Sequence, residues 1–243
     1  MKKNIVYHVG LTSPPTLEFD EFEISCHPLL KVDYISFHLK ENLDEMLKQN
    51  PVLVLMSKNS VFGLETWLKR NSLESNYFNH DFWTVGERTH DHLRNILGIE
   101  AFYPTPMTGK GLIEALNDEG KSKIILICGK NPQKKFINGL YVRDINFFHF
   151  PVYELKNKSD MDFVVNFQNN QSNYIVITSP SAIGSILTNL EINDLSQLKV
   201  KIISIGPTTT EAIMESKGIV FHESKSQNIS LLYEELKHVI GGA

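Results

Sequence analysis

One supersecondary unit is written twice in this chain. The first copy runs Val52-Leu53-Val54-Leu55-Met56-Ser57-Lys58-Asn59-Ser60-Val61 and continues at Trp83-Thr84-Val85-Gly86-Glu87-Arg88-Thr89. The second runs Tyr174-Ile175-Val176-Ile177-Thr178-Ser179-Pro180-Ser181-Ala182-Ile183 and continues at Ile203-Ser204-Ile205-Gly206-Pro207-Thr208-Thr209. In both, Gly-x-x-Thr leads at the same offset to Gly-Ile, from Gly86 to Gly98 and from Gly206 to Gly218. Matched spacing of this kind implies two similar α/β units, each presenting a Ser-rich loop and a Gly-x-x-Thr loop at the same end.

The rest of the chain alternates in the same way. Apolar runs at Asn4–Val9, Glu23–Cys26, Val52–Met56, Phe82–Val85, Ile99–Tyr103, Lys123–Cys128, Asn146–Tyr153, Asn173–Thr178, Lys201–Ile205 and Ile219–His222 predict strands. Between most of them, apolar residues recur at helical spacing: Leu43/Met46/Leu47, Val61/Leu64/Leu68, Leu93/Leu97, Leu112/Ile113/Leu116, Ile183/Ile186/Leu187/Leu190 and Leu231/Leu232/Leu236. Gly98 and Gly218 read as helix stops. Asn157–Asp160 and Gln168–Asn173 are the most polar, linker-like stretches. A βαβα order of this length predicts parallel sheets covered by helices on both faces.

Composition narrows the function classes. A net charge of −4 over 243 residues argues against nucleic acid or a membrane surface as the main partner. Cys26 and Cys128 are far apart, and Cys128 ends an apolar run, so no disulfide framework is expected. No stretch reaches the roughly 18 apolar residues of a membrane span. A cytoplasmic monomer is the expectation.

In open parallel sheets, ligands bind beyond the carboxyl ends of the strands. Both duplicated loops fall there. Ser57, Lys58, Asn59 and Ser60 follow one strand and Ser179, Pro180 and Ser181 its counterpart; Gly86–Thr89 and Gly206–Thr209 follow two more. Each loop opens a helix, where free N–H groups and the positive dipole end suit carboxylates or phosphates. Taken singly, every one of these hydroxyls reads first as a helix cap; the duplication of the glycine with the hydroxyls favours a ligand. Lys130, in Gly129-Lys130-Asn131-Pro132, follows a strand directly and is the cation best placed to meet an anion. Tyr153 ends a strand and can point its O–H outward as a proton donor. His80, Asp81, His90 and His92 are a weak metal set, because i,i+2 positions on a helix do not face one another. No nucleotide-binding fingerprint or nucleophile elbow is present.

With these residues placed, the chain resembles the uroporphyrinogen-III synthase family. The resemblance rests on Met56-Ser57-Lys58-Asn59-Ser60-Val61, Val85-Gly86-Glu87-Arg88-Thr89, Val152-Tyr153-Glu154, Thr178-Ser179-Pro180-Ser181-Ala182 and Ile205-Gly206-Pro207-Thr208-Thr209-Thr210-Glu211-Ala212, in that order. It implies an α/β fold of two flavodoxin-like parallel-sheet domains joined by a two-stranded linker. The first domain would be discontinuous, residues 1–33 and 155–243, and the second would be residues 34–154, with one copy of the repeat in each, facing a shared cleft. It implies a cofactor-free reaction without metal. The linear tetrapyrrole hydroxymethylbilane loses its hydroxyl, cyclises and inverts its last pyrrole ring. Tyr153 would protonate the departing hydroxyl. Ser57, Lys58, Asn59, Gly86, Thr89, Gly129, Lys130, Ser179, Pro180, Ser181, Gly206, Thr208 and Thr209 would bind the substrate's carboxylates. The chain departs from the family pattern after the first strand, at Tyr7-His8-Val9-Gly10-Leu11-Thr12, and at Gly129–Lys135, where lysines stand in place of arginine.

Two other readings share the same features. A non-catalytic two-domain α/β protein could bind a small anionic ligand with these helix N-termini. A flavin protein is disfavoured, because Leu11-Thr12-Ser13-Pro14-Pro15-Thr16 lacks the glycine needed to wrap a phosphate.

Overall fold

The computed structural model describes residues 3–11, 14, 18–35, 40–169 and 173–241. Most of the loop after the first strand therefore lies outside the described residues, as does much of the 168–173 stretch. The chain divides into two compact units, Met1–Lys31 with Lys156–Ala243, and Val32–Leu155.

The Val32–Leu155 unit contains, in order, β3 (Leu30–Tyr34), α1 (Lys40–Leu47), β4 (Val52–Leu55), α2 (Lys58–Arg70), β5 (Phe82–Thr84), α3 (Glu87–Leu97), α4 (Gly109–Asp118), β6 (Lys123–Gly129), α5 (Lys134–Val142) and β7 (Asn146–Asn157). The strands form one sheet in the order β3-β7-β6-β4-β5. Neighbours from β7 to β5 are parallel. β4 is buried throughout and β6 at all but its ends, as expected of central strands covered on both faces. Successive residues serve opposite cores. Leu53, Leu55, Ile125, Ile127, Phe150 and Val152 join Val61, Leu64, Trp67 and Leu93 of α2 and α3. Val52, Val54, Ile124, Leu126 and Cys128 join Leu112, Leu116, Phe136 and Leu140 of α4 and α5.

The other unit is built the same way from β1 (Asn4–Val9), β2 (Phe22–His27), α6 (Met161–Asn169), β8 (Asn173–Ile177), α7 (Ser181–Leu190), β9 (Lys201–Ser204), α8 (Pro207–Glu215), β10 (Val220–Glu223) and α9 (Ile229–Gly241). Its sheet order is β10-β9-β8-β1-β2, parallel throughout. Tyr7, Val9, Ile175, Ile177 and Ile202 face α6, α7 and α8, while Val6, Phe22, Tyr174, Val176 and Ile203 face Leu232, Tyr233, Leu236 and Ile240 of α9.

Four details differ from the sequence reading. Residues 99–103 form no strand but a single parallel bridge from Phe102 to Trp83, since Pro104 and Pro106 follow and cannot donate to a ladder. Helix α6 follows the first polar stretch and runs into the second, anchored by Phe163, which is fully buried. Gly98 takes the left-handed conformation (φ 67°) expected of a helix stop, but Gly218 does not: α8 ends at Glu215 and Lys217 takes it (φ 57°). Gly218 is needed for room instead, because a Cβ there would lie 2.6 Å from Ile213 Cγ2. Finally, β7 runs past Tyr153 to Asn157.

Candidate functional site

Each unit carries the duplicated loops at the carboxyl ends of its strands, and the two copies agree in detail. Gly86 and Gly206 both have extended backbones (φ 176° and 162°). The Gly86 carbonyl accepts the N–H groups of Thr89 (3.0 Å) and His90 (3.2 Å) and the Thr84 hydroxyl (3.1 Å). The Gly206 carbonyl accepts the N–H groups of Thr209 and Thr210 (both 3.0 Å) and the Ser204 hydroxyl (2.9 Å). Thr84 and Ser204 were not among the expected site residues, although a hydroxyl two places before each glycine was visible in the repeat. These bonds hold each carbonyl inward and leave without an intrahelical partner the N–H groups of Glu87 and Arg88 in α3 and of Thr208 in α8, whose first residue, Pro207, has none. A Cβ on Gly86 would meet Met107 at 3.0 Å, and one on Gly206 would meet Gln227 at 3.2 Å.

Thr89 and Thr209 are buried, at 6% and 3% exposure. Each sits one helical turn before a core residue, Leu93 and Ile213, and therefore shares its inward face. Thr208 is exposed. Their N–H groups are already bonded to the Gly86 and Gly206 carbonyls, so Thr89 and Thr209 shape the loop, and the donors open to a ligand are those of the residues just before them.

In the Val32–Leu155 unit, Ser57 caps α2: its Oγ accepts the Ser60 N–H at 3.3 Å. The same Oγ lies 3.2 Å from Ser60 Oγ and 3.4 Å from the Tyr153 hydroxyl. Lys58 is exposed and Asn59 half-buried beside it. Tyr153 reaches Ser57 through an irregularity in the β6–β7 ladder, where Cys128 pairs with Pro151 but Gly129 pairs with Tyr153. The residue skipped, Val152, is a bulge, and a bulge re-aims the side chain after it. Although β7 continues, this is its last pair with β6, so Tyr153 stands at the carboxyl edge of the parallel part of the sheet. A Cβ on Gly129 would lie 3.0 Å from the Tyr153 ring and 3.2 Å from its hydroxyl oxygen. Gly129→Ala is therefore expected to shift the phenol and lower turnover by about 10- to 100-fold. Steady-state kinetics beside a thermal melt checks this; unchanged kcat would mean the ring position is immaterial.

Burial pushes the Tyr153 phenol up in pKa, partly opposed by the Ser57 hydrogen bond, with the neighbouring Cys128 adding to the rise. Burial likewise holds the Cys128 thiol up, at about 12. Both groups are thus protonated and neutral near pH 7. Lys130 donates its N–H to the Tyr153 carbonyl at 2.8 Å. Its ammonium is paired with Glu154 at 3.1 Å, so it does not stand ready as a lone cation for an anion.

In the other unit, the turn of α7 starts at Ser179: Ala182 N–H donates to the Ser179 carbonyl at 3.1 Å and Ile183 N–H to the Pro180 carbonyl at 3.2 Å. Ser181 is exposed. The Ser179 and Thr210 hydroxyls are buried and have no hydrogen-bond partner among the described residues. Among the described residues no group of three His, Cys, Asp or Glu could hold a metal ion. His90 is engaged by Glu100 at 2.9 Å and His80 by the Leu47 carbonyl at 3.0 Å. No described helix is long and apolar enough to cross a membrane.

A family model described as uroporphyrinogen-III synthase HemD matches residues 16–233. The fold is similar to the crystal structure of uroporphyrinogen-III synthetase from Helicobacter pylori 26695, with TM-score 0.68 and 20% identity, covering 98% of this chain and 100% of that one. It is also similar to a mutant uroporphyrinogen III synthase from the extremely thermophilic bacterium Thermus thermophilus, with TM-score 0.62 and 12% identity, covering 99% of this chain and 100% of that one. No curated protein matches the sequence at a significant level.

Proposed function

The chain belongs to the uroporphyrinogen-III synthase family, the cyclising lyases of haem biosynthesis, and from that membership we propose that it converts hydroxymethylbilane to uroporphyrinogen III with Tyr153 as the acid. The substrate is a flexible chain bearing eight carboxylates that also closes unaided to the uninverted isomer. The protein's task is to hold it so that the substituted carbon of the last ring is attacked. The first-turn N–H groups of α2, α3, α7 and α8 that the protein leaves unpaired bind carboxylates, helped by the exposed side chains of Lys58, Ser181 and Thr208. Dipole ends and N–H groups grip an anion without many arginines, which reconciles a net charge of −4 with a polyanionic substrate.

The observation that carries the acid role is the position of the Tyr153 phenol, 3.4 Å from Ser57 Oγ at the carboxyl edge of the parallel strands. A general acid must be in its protonated form at working pH. The deciding experiment supplies purified protein with hydroxymethylbilane and separates the products by isomer. Inverted uroporphyrinogen III, formed faster than spontaneous closure, is expected. The uninverted isomer alone, at the spontaneous rate, would leave a non-catalytic binder of anions.

A further inference from the structure

A second tyrosine faces the first across the strand pair β3–β7. Two backbone hydrogen bonds fix how these strands lie: Ile35 N–H donates to the Val152 carbonyl at 3.1 Å, and Lys158 N–H donates to the Leu29 carbonyl at 2.8 Å. Between these bonds β3 advances as far as β7 retreats, so the strands are antiparallel in one continuous register. In that register Tyr34 stands directly opposite Tyr153. Hydrogen-bonded and non-hydrogen-bonded pairs alternate along an antiparallel ladder. Leu29–Lys158 and Ile35–Val152 are of the first kind, which makes Tyr34–Tyr153 the second. Side chains of such a pair leave on the same face, with Cβ atoms about 4.5–5.5 Å apart.

The surroundings agree. Both tyrosines are half-buried. Burial, then the Glu65 carboxylate, then Tyr153 push the Tyr34 phenol above its ordinary value. The groups around the pair are Ser57 and Glu65 from the α2 side and Cys128 from β6. Glu65 is itself paired with Lys69 at 2.7 Å, and Glu154 with Lys130.

We propose that Tyr34 is a positioning residue for the Tyr153 acid, its hydroxyl donating to the Tyr153 oxygen when that oxygen loses its proton. This rests on the acid role given to Tyr153 above. In the step concerned, the bond between the hydroxymethyl carbon and its oxygen breaks. The Tyr153 proton leaves with that oxygen as water, and a phenolate remains. The attacked carbon is substituted and has no hydrogen to lose, so the proton that restores the phenol comes from the unsubstituted carbon of the last ring when the inverted ring makes its final bond. Tyr34 keeps its own proton throughout, so its contribution is a hydrogen bond to a transient charge, stronger than one between neutral groups.

The test is a double-mutant cycle of Tyr34→Phe, Tyr153→Phe and the double variant, with kcat, KM and thermal unfolding measured for each. Tyr34→Phe keeps the ring and removes only the hydroxyl. It is expected to lower kcat about tenfold, as for one lost hydrogen bond to a charged oxygen, with KM unchanged, and to have no further effect once Tyr153 is Phe. Wild-type kcat in Tyr34→Phe overturns the proposal, as does a loss that multiplies with that of Tyr153→Phe, because a purely structural role acts whether or not the acid is present. Wild-type turnover in Tyr153→Phe alone removes the acid itself, and so separates that failure from failure of the Tyr34 assignment.

Discussion

Tyr153→Phe is expected to slow uroporphyrinogen III formation by about 10²- to 10⁴-fold, the range that a positioned general acid contributes. The substitution deletes one oxygen. The ring keeps its place against Gly129 and the apolar core beneath β7, and what is lost to stability is one long hydrogen bond to Ser57, a cost of about 1 kcal/mol. Because the substrate closes unaided, the products of the variant should shift towards the uninverted isomer as the enzymatic route falls towards the spontaneous rate. The pH dependence has a definite sign. The phenol must be protonated to donate, and burial raises its pKa in the folded protein. Turnover limited by this group should therefore be flat through neutral pH and fall only on the alkaline side, above the ordinary tyrosine range. Isomer-resolved kinetics with a urea titration measures both quantities, and an unchanged rate would leave positioning as the whole of catalysis.

The second large effect concerns stability. Trp67→Ala should destabilise the Val32–Leu155 unit by about 3–5 kcal/mol, as for other large-to-small changes at buried aromatics. Trp67 is 1% exposed and heads the fully buried side chains by volume. Its ring meets Phe150 edge-on at 5.2 Å and lies 5.9 Å from Tyr77 and 6.3 Å from Phe78. It is the clamp between α2 and β7, and the clamp is tight: a Cβ on Gly63, one turn earlier in α2, would lie 2.7 Å from the Val152 carbonyl. With ordinary domain stabilities of about 5–15 kcal/mol, the loss brings the unit close to its threshold. The chain has two tryptophans, and the remaining one, Trp83, lies in the same unit on β5 and can report the urea midpoint by fluorescence. A shift worth less than about 1 kcal/mol would mean that the site collapses around the cavity.

Much of this architecture was legible because parallel strands buried on both faces are written as unbroken apolar runs. Val52–Leu55 and Ile124–Cys128 could not be mistaken for half-exposed strands, and the helices between them carry plain helical spacing. What failed was local. The apolar stretch 99–103 has strand composition but runs into prolines, and polar neighbours mask the helical spacing of α6. Gly218 matches Gly98 in sequence, yet the chain uses one for its left-handed backbone and the other for lack of a side chain; the two uses read alike. At the site, Ser57 and Tyr153 were identified separately, but the bulge that joins them leaves no mark in the sequence. The burial of Thr89 and Thr209 was in fact readable, since each precedes an apolar residue by one helical turn. The Lys130–Glu154 pair was not, because it joins the loop after β6 to a strand that comes later in the chain.

The interrupted unit has a consequence in time. β1 lies between β2 and β8 in its sheet, yet β8 is made only after the whole Val32–Leu155 unit has been translated. At synthesis rates of ~5–20 residues per second, β1 waits on the order of ten seconds with one of its two edges unmatched. The unit that comes second along the chain has all of its strands first. The ribosome thus delivers a finished sheet before an unfinished one, and the apolar run Ile5–Val9 is the segment that must be kept from pairing elsewhere meanwhile.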